Sequence, residues 1–183
     1  MTMKVKRIFK RNTHNNFFKA LAGFGRALNR LYENRNHDIS SNGELVILRK
    51  ISKLNPSVII DGGANIGSYS LLANEINSNT KIYSFEPVKS TFEKLKENTR
   101  HIGNIVPIEK GLYKENGSIE INLFASDTHS SIFDIQGLQY NSKDKQTIEL
   151  ISGDNFLKEH KIKEVDFLKV DVEGAEYDAI LGF

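Results

Sequence analysis

Apolar and polar positions along this chain switch between a helical and a strand period, and each switch marks the edge of an element. From Glu44 onward Leu45, Leu48, Ile51 and Leu54 fall on one stripe until Pro56 stops it, which predicts a helix leading into a first strand. A strand at 58–61 follows, then a helix at 67–77, a strand at 81–85, a helix at 88–101 and a strand at 105–109. Alternation of that kind implies a parallel sheet with helices on both faces. The pattern breaks at Asn116-Gly117, a hairpin signal between Leu112-Tyr113 and the run Ser118 to Phe124, so an antiparallel insertion is expected there. Thr147 to Ile151 predicts a further short strand, and Val165 to Asp171 another strand of the main sheet, entering a helix before Phe183. The fold class this implies is α/β, doubly wound and mostly parallel.

Upstream of these elements, Phe17, Phe18, Leu21, Phe24, Leu28 and Leu31 recur at roughly helical spacing with Lys19, Arg26 and Arg30 between them. Residues 1–37 carry nine Lys/Arg against the single acid Glu33, so this arm is +8 and the remainder −6 within a net charge of +2. Two readings of the arm stay open: docking to an anionic membrane surface or a glycolipid, and a helix that caps the core with a solvated basic face. The chain thus divides into a basic amphipathic extension, 1–43, and one globular domain, 44–183.

The absence of cysteine excludes disulfides, thiolate catalysis and cysteine metal sites, which suits a cytoplasmic protein. No apolar run approaches the ~20 residues of a spanning helix, so membrane contact is at most peripheral. Nucleic acid is not an expected partner, because the body is acidic and carries no nucleic-acid fingerprint. No metal site is assigned.

Candidate chemistry is concentrated where Val58-Ile59-Ile60 ends in Asp61-Gly62-Gly63-Ala64-Asn65-Ile66-Gly67. A strand that ends in an acid and then a glycine turn opening a helix brings backbone close to a ligand and aims free N–H groups at it. The Gly-x-Gly-x-x-Gly of dinucleotide folds is absent, since position 65 is Asn, and Asp-x-Gly-x-x-x-Gly favours S-adenosylmethionine over NAD. Asp61, Gly63, Asn65 and Gly67 are therefore candidate cofactor contacts. Glu86, at the tip of the next strand and 25 positions after Asp61, is placed to accept both ribose hydroxyls; the alternative is a solvated acid at a helix start, ahead of Pro87.

Lys169 forms a second signal, because an ammonium in a buried strand is costly without a partner. Strand periodicity puts Lys169 and Asp171 on one face, with Glu173 and Glu176 following at a helix start. These residues form either a salt-bridge network fixing the strand end or a polar site beside a transferred methyl, where a carboxylate takes a proton from a substrate hydroxyl. Lys169, Asp171 and Glu173 are the catalytic candidates, with orientation, metal ligation and base duty undivided between Asp171 and Glu173. His129, in a polar stretch, is a weaker base candidate. If the strands ending at Asp61 and Asp171 are neighbours, Asp61, Gly63, Glu86, Asp171 and Glu173 converge on one crevice.

Ile60 to Gly67, Phe85-Glu86-Pro87 and Asp166 to Glu176 together resemble the FkbM-type S-adenosylmethionine-dependent methyltransferases, with weaker likeness at Ser130-Ser131-Ile132 and Gly153 to Leu157. That resemblance, covering residue 44 to the end, implies a Rossmann-like class I methyltransferase fold, with Asp61, Gly63 and Glu86 as cofactor contacts. It also implies O-methylation of a sugar, glycan or natural-product hydroxyl. Members of the family continue through about three more strands, so the resemblance implies a truncated cofactor-binding half, with those strands supplied by another chain or absent. On that reading the strand ending at Asp171 is an exposed edge, and the chain alone is poorly soluble or molten. The competing classes are a non-catalytic remnant or split subunit that binds cofactor, glycan or membrane, and an NAD-dependent oxidoreductase, which the glycine spacing disfavours.

Overall fold

The computed structural model describes residues 15–32, 43–123 and 144–183. They fall into two compact units, Met1–Ile47 and Leu48–Phe183. In the first, α1 spans Asn16–Tyr32, and α2, Glu44–Ser52, crosses from the first unit into the second. Pro56 follows α2 as expected, but Leu54 is 80% exposed and Leu48 is the helix's buried residue, so the apolar stripe is narrower than its spacing suggests.

The second unit is built on a four-stranded parallel sheet of β1 (Val58–Gly62), β2 (Lys81–Phe85), β3 (Ile105–Ile108) and β7 (Phe167–Val170), in the order β3-β2-β1-β7. Helices α3 (Ser68–Ile76) and α4 (Lys89–Thr99) make the crossovers between the first three strands. Successive β1 side chains go to opposite faces, as the pleat demands. Ile59 joins Leu48, Tyr69, Ala73, Ile82 and Ile105 on one face; Ile60 joins Phe85, Leu112, Ile151, Phe156 and Ala179 on the other. The expected doubly wound α/β architecture is what forms, and β7 has β1 as its one neighbour among the described residues.

The expected hairpin at Asn116-Gly117 does not form. Strands β4 (Gly111–Leu112) and β5 (Gly117–Leu123) flank the central β6 (Asp144–Ile151), the first parallel and the second antiparallel to it. The Asn116 side chain explains the outcome. Its carbonyl oxygen accepts the Ser152 N–H at 2.9 Å and the Asn155 side-chain amide at 3.0 Å, drawing the chain to the end of β6 rather than into a two-residue turn. A helix not foreseen, α5 (Gly153–Glu159), starts there, with the Ser152 hydroxyl accepting the Asn155 N–H as an N-cap. The last helix, α6, covers Glu176–Leu181. Ser130, Ser131 and His129 lie outside the described residues.

Candidate functional site

Strand order reverses between β1 and β7: the chain runs outward from β1 to β3 and returns on the far side of β1. Ligands of open α/β sheets sit beyond the carboxyl ends of the strands at such a point. A cleft opens there, with roughly 820 Å³ of empty space when its open mouth is included. Gly63, Asn65, Glu86, Asp171 and Glu173 supply its polar wall, while Val88, Ile121, Ile148 and Leu150 bring an apolar one from the start of α4 and the small sheet.

Glycine at position 63 answers to a steric demand from the neighbouring strand. Its φ is +72°, and a Cβ there would lie 1.9 Å from the Asp171 carbonyl oxygen. The β1–α3 and β7–α6 loops therefore touch backbone to backbone, which closes the floor of the cavity. The loop continues with Asn65 at φ +50°, a region asparagine tolerates better than most residues. At Gly67, φ +92°, the space a Cβ would take is held by Leu95 Cδ1 at 2.7 Å and Thr99 Cγ2 at 3.4 Å. Gly67 thus lets α4 pack against the start of α3, and it is not among the residues lining the cleft.

Glu86 is 7% exposed, so the reading of a solvated acid at a helix start fails. Its Oε2 accepts the Asn65 N–H at 3.0 Å and its Oε1 the Val88 N–H at 3.0 Å, tying both flanking loops to one carboxylate. Burial raises its pKa above the ordinary value of 4.5; the Val88 and Asn65 amides pull it back, the Asp61 charge raises it further and the Lys169 charge lowers it. Each oxygen keeps a second lone pair, so the carboxylate can receive two more donors from the cavity.

Asp61 and Lys169 are brought together, but behind this wall. Asp61 is fully buried: its Oδ2 accepts the Ser70 hydroxyl at 2.7 Å, and Ser70 in turn meets Ser84 at 2.7 Å. Lys169 Nζ stands 3.1 Å from Asp61 Oδ1 as an ion pair, donates to the Gly63 and Gly62 carbonyls at 3.0 and 3.3 Å, and lies 5.6 Å from the Tyr69 ring centre. Neither side chain lines the cleft. The ammonium gives two hydrogen bonds to β1 and its turn, while the buried Asp61 Oδ1 faces its charge at 3.1 Å without accepting a hydrogen bond from the described residues.

Asp171 and Glu173 do reach the cavity. Asp171, with 70% of its side chain exposed, is 3.9 Å from Lys169 Nζ. Glu173 sits at φ +51° ahead of Gly174 at φ +102°, a left-handed pair that costs free energy for a residue with a Cβ. Glu176 holds that loop in shape: its Oε1 accepts the Gly174 and Val172 N–H groups at 3.0 and 3.2 Å, and the Gly174 bond foremost lowers its pKa. Sequence reasoning missed Ser70, Ser84 and the apolar wall. It also missed Asp166, whose carboxylate accepts the Ser57 and Val58 N–H groups at 2.8 and 2.9 Å and pins the start of β7 to β1.

A doubly wound parallel sheet with an acid-lined cleft at its switch point defines a Rossmann-like α/β fold. The family model for the methyltransferase FkbM domain matches residues 61–182, and the chain belongs to that family. Among its relatives is "Hexuronic acid methyltransferase AglP" of Haloferax volcanii, 30% identical over 129 residues covering 68% of this chain and 49% of that protein. "Methyltransferase 1" of Beauveria bassiana is 28% identical over 144 residues, 69% of this chain and 58% of that protein. The chain spans about half the length of these curated relatives. A crystal structure of an FkbM methyltransferase from Methylobacillus flagellatus KT aligns with a TM-score of 0.45 at 18% identity, over 69% of this chain and 28% of that one.

Proposed function

We propose that this domain binds S-adenosylmethionine at the switch-point cavity and serves the methylation of a sugar oxygen, a hydroxyl in the first place. The observation that carries the reading is Glu86. It is a buried carboxylate held by two backbone amides, and it lines the cleft with an apolar wall nearby. Two adjacent ribose hydroxyls fit such an acceptor, and a purine fits Val88, Ile121, Ile148 and Leu150. When bound, the sulfonium supplies an already activated methyl group, so the protein's task is orientation and proton removal.

The protein's own residues divide this work. With the cofactor bound, Gly63 and Asn65 would shape the backbone floor, Glu86 would orient the nucleoside, and Asp171 or Glu173 would take the proton of the acceptor hydroxyl. Three carboxylates at the cavity also disfavour an anionic acceptor atom, which supports a neutral hydroxyl over a sugar carboxylate. The hexuronic acid named for the Haloferax relative supports a sugar acceptor and leaves its carboxylate as the second reading. Calorimetry with S-adenosylhomocysteine on this chain and on Glu86→Ala tests the cofactor site; equal affinity for both chains refutes the assignment of Glu86. Methyl transfer to neutral and acidic hexosides then separates hydroxyl from carboxylate.

A further inference from the structure

Helix α1 carries an apolar stripe that the described residues leave largely uncovered. Phe17 is 68% exposed, Leu21 42% and Phe24 61%. On a helix advancing 100° per residue these three fall within an arc of about 60°, and Lys19 lies on the opposite side. Aromatic and aliphatic side chains aligned in this way favour an apolar environment over water.

Charge decides which environment. Residues 1–37 sum to +8 and the remainder of the chain to −6. A second copy meeting this face with its own arm would bring +8 against +8, which opposes a symmetric pairing of arms. A nucleic acid would use the charge and leave the apolar stripe in water. An anionic bilayer satisfies both, with the stripe sunk to the boundary of headgroups and acyl chains and the Lys/Arg set attracted by lipid phosphates. Among the described residues no helix is long and apolar enough to cross a membrane, so α1 would lie along the surface.

We propose that α1, together with the basic residues around it, docks this chain onto an anionic lipid surface through Phe17, Leu21 and Phe24. The inference is independent of the cavity and of its ligand. It is tested by floating the full 183-residue chain with vesicles of phosphatidylcholine alone and of phosphatidylcholine containing roughly 30% phosphatidylglycerol, at low and high salt. Expected is partition to the anionic vesicles that weakens with salt and falls about tenfold or more in the double variant Phe17→Ser/Phe24→Ser, whose thermal transition stays that of the parent. A charge variant, Lys19→Gln/Arg26→Gln/Arg30→Gln, weakens anionic binding and leaves the weak binding to phosphatidylcholine unchanged.

Three results overturn the proposal. One is no partition to anionic vesicles, and another is partition indifferent to the double variant. The third is a double variant that melts earlier or dissociates a dimer in sedimentation equilibrium, which would place the stripe against protein instead.

Discussion

Substituting Gly63 with alanine should damage fold and cavity together, and its magnitude follows from two separate strains. A Cβ at φ +72° occupies the left-handed region, which costs about 1–2 kcal/mol for a residue with a side chain. The same Cβ would lie 1.9 Å from the Asp171 carbonyl oxygen and 2.8 Å from its carbon, both backbone atoms. Restoring a contact of about 3 Å requires the two loops to part by roughly 1 Å, which a packed interior resists. That movement strains the Asp171 N–H bond to the Gly62 carbonyl, 3.0 Å, and the Lys169 bond to the Gly63 carbonyl, 3.0 Å. With about 1–2 kcal/mol for these weakened bonds, the total is near 3 kcal/mol, a sizeable fraction of the 5–15 kcal/mol that holds a typical domain.

For a chain of this size, 3 kcal/mol lowers Tm by roughly 6–12 °C. Circular dichroism melts and urea titration of parent and Gly63→Ala measure it, with Gly103→Ala as the control. A Cβ at Gly103 meets nothing within 4 Å, so the control should stay within about 0.5 kcal/mol. S-adenosylhomocysteine affinity should fall in Gly63→Ala even where the protein remains folded, because Gly63 forms the cavity floor. A Gly63→Ala chain as stable as its Gly103→Ala counterpart would refute the claim that the two loops meet backbone to backbone.

Lys169→Met should destabilise the domain by about 3–5 kcal/mol, since it strands the buried Asp61 carboxylate; adding Asp61→Asn should recover part of the loss, giving about 1–3 kcal/mol of coupling in a double-mutant cycle read by urea denaturation. Glu86→Ala should weaken S-adenosylhomocysteine binding by about tenfold to a hundredfold or more, the loss of one or two hydrogen bonds to a charged acceptor, as measured by calorimetry. Because Glu86 ionises above its ordinary value in the ligand-free fold, its charged form opposes folding: that cost is absent below 4.5, grows as pH rises through the raised pKa and is complete above it. Ligand hydroxyls favour the ionised form, so affinity should be flat above that pKa and fall as pH drops through it, with proton release visible in buffers of different ionisation enthalpy. Asp171→Asn and Glu173→Gln should each leave S-adenosylhomocysteine affinity near the parent's, and whichever residue is the proton acceptor should lose about 10²–10⁴ in kcat with a hydroxyl acceptor.

The parallel sheet was legible because β1, β2, β3 and β7 are short apolar runs separated by helical periodicity, a pattern that needs no long-range information. The convergence of Gly63, Glu86, Asp171 and Glu173 was legible for a related reason: acids and glycines at strand tips must meet wherever parallel strands are neighbours. The arrangement around β6 was not, because Asn116-Gly117 has the residues of a tight turn and only the distant Ser152 and Asn155 decide that it makes none. Helix α5 did leave a signal, Ser152 three positions before Asn155 with Asp154 between, which reads as an N-cap and an acidic first turn. Ser70 and Ser84 left none, since a buried hydroxyl is told from an exposed one only by knowing that Asp61 lies beneath it.

Asp61 and Lys169, paired across β1 and β7, determine the site's geometry. A parallel strand of apolar residues such as Phe167-Leu168-Lys169-Val170 carries little information on register, because Phe, Leu and Val pack almost equally well one step along. Polar groups supply it. Asp166 binds the Ser57 and Val58 amides at the entry of β7, and Lys169 faces Asp61 across the β1–β7 pair near its exit. A slip of one residue would carry Lys169 to the opposite face and leave both charges buried alone, so the aligned register is the one that satisfies them. That alignment is also what sets the Asp171 carbonyl against Gly63 and presents Asp171 and Glu173 to the cavity. Loss of the ion pair and a side chain at position 63 therefore strain the same contact from opposite sides, and Gly63→Ala should cost less in a Lys169→Met background than in the parent.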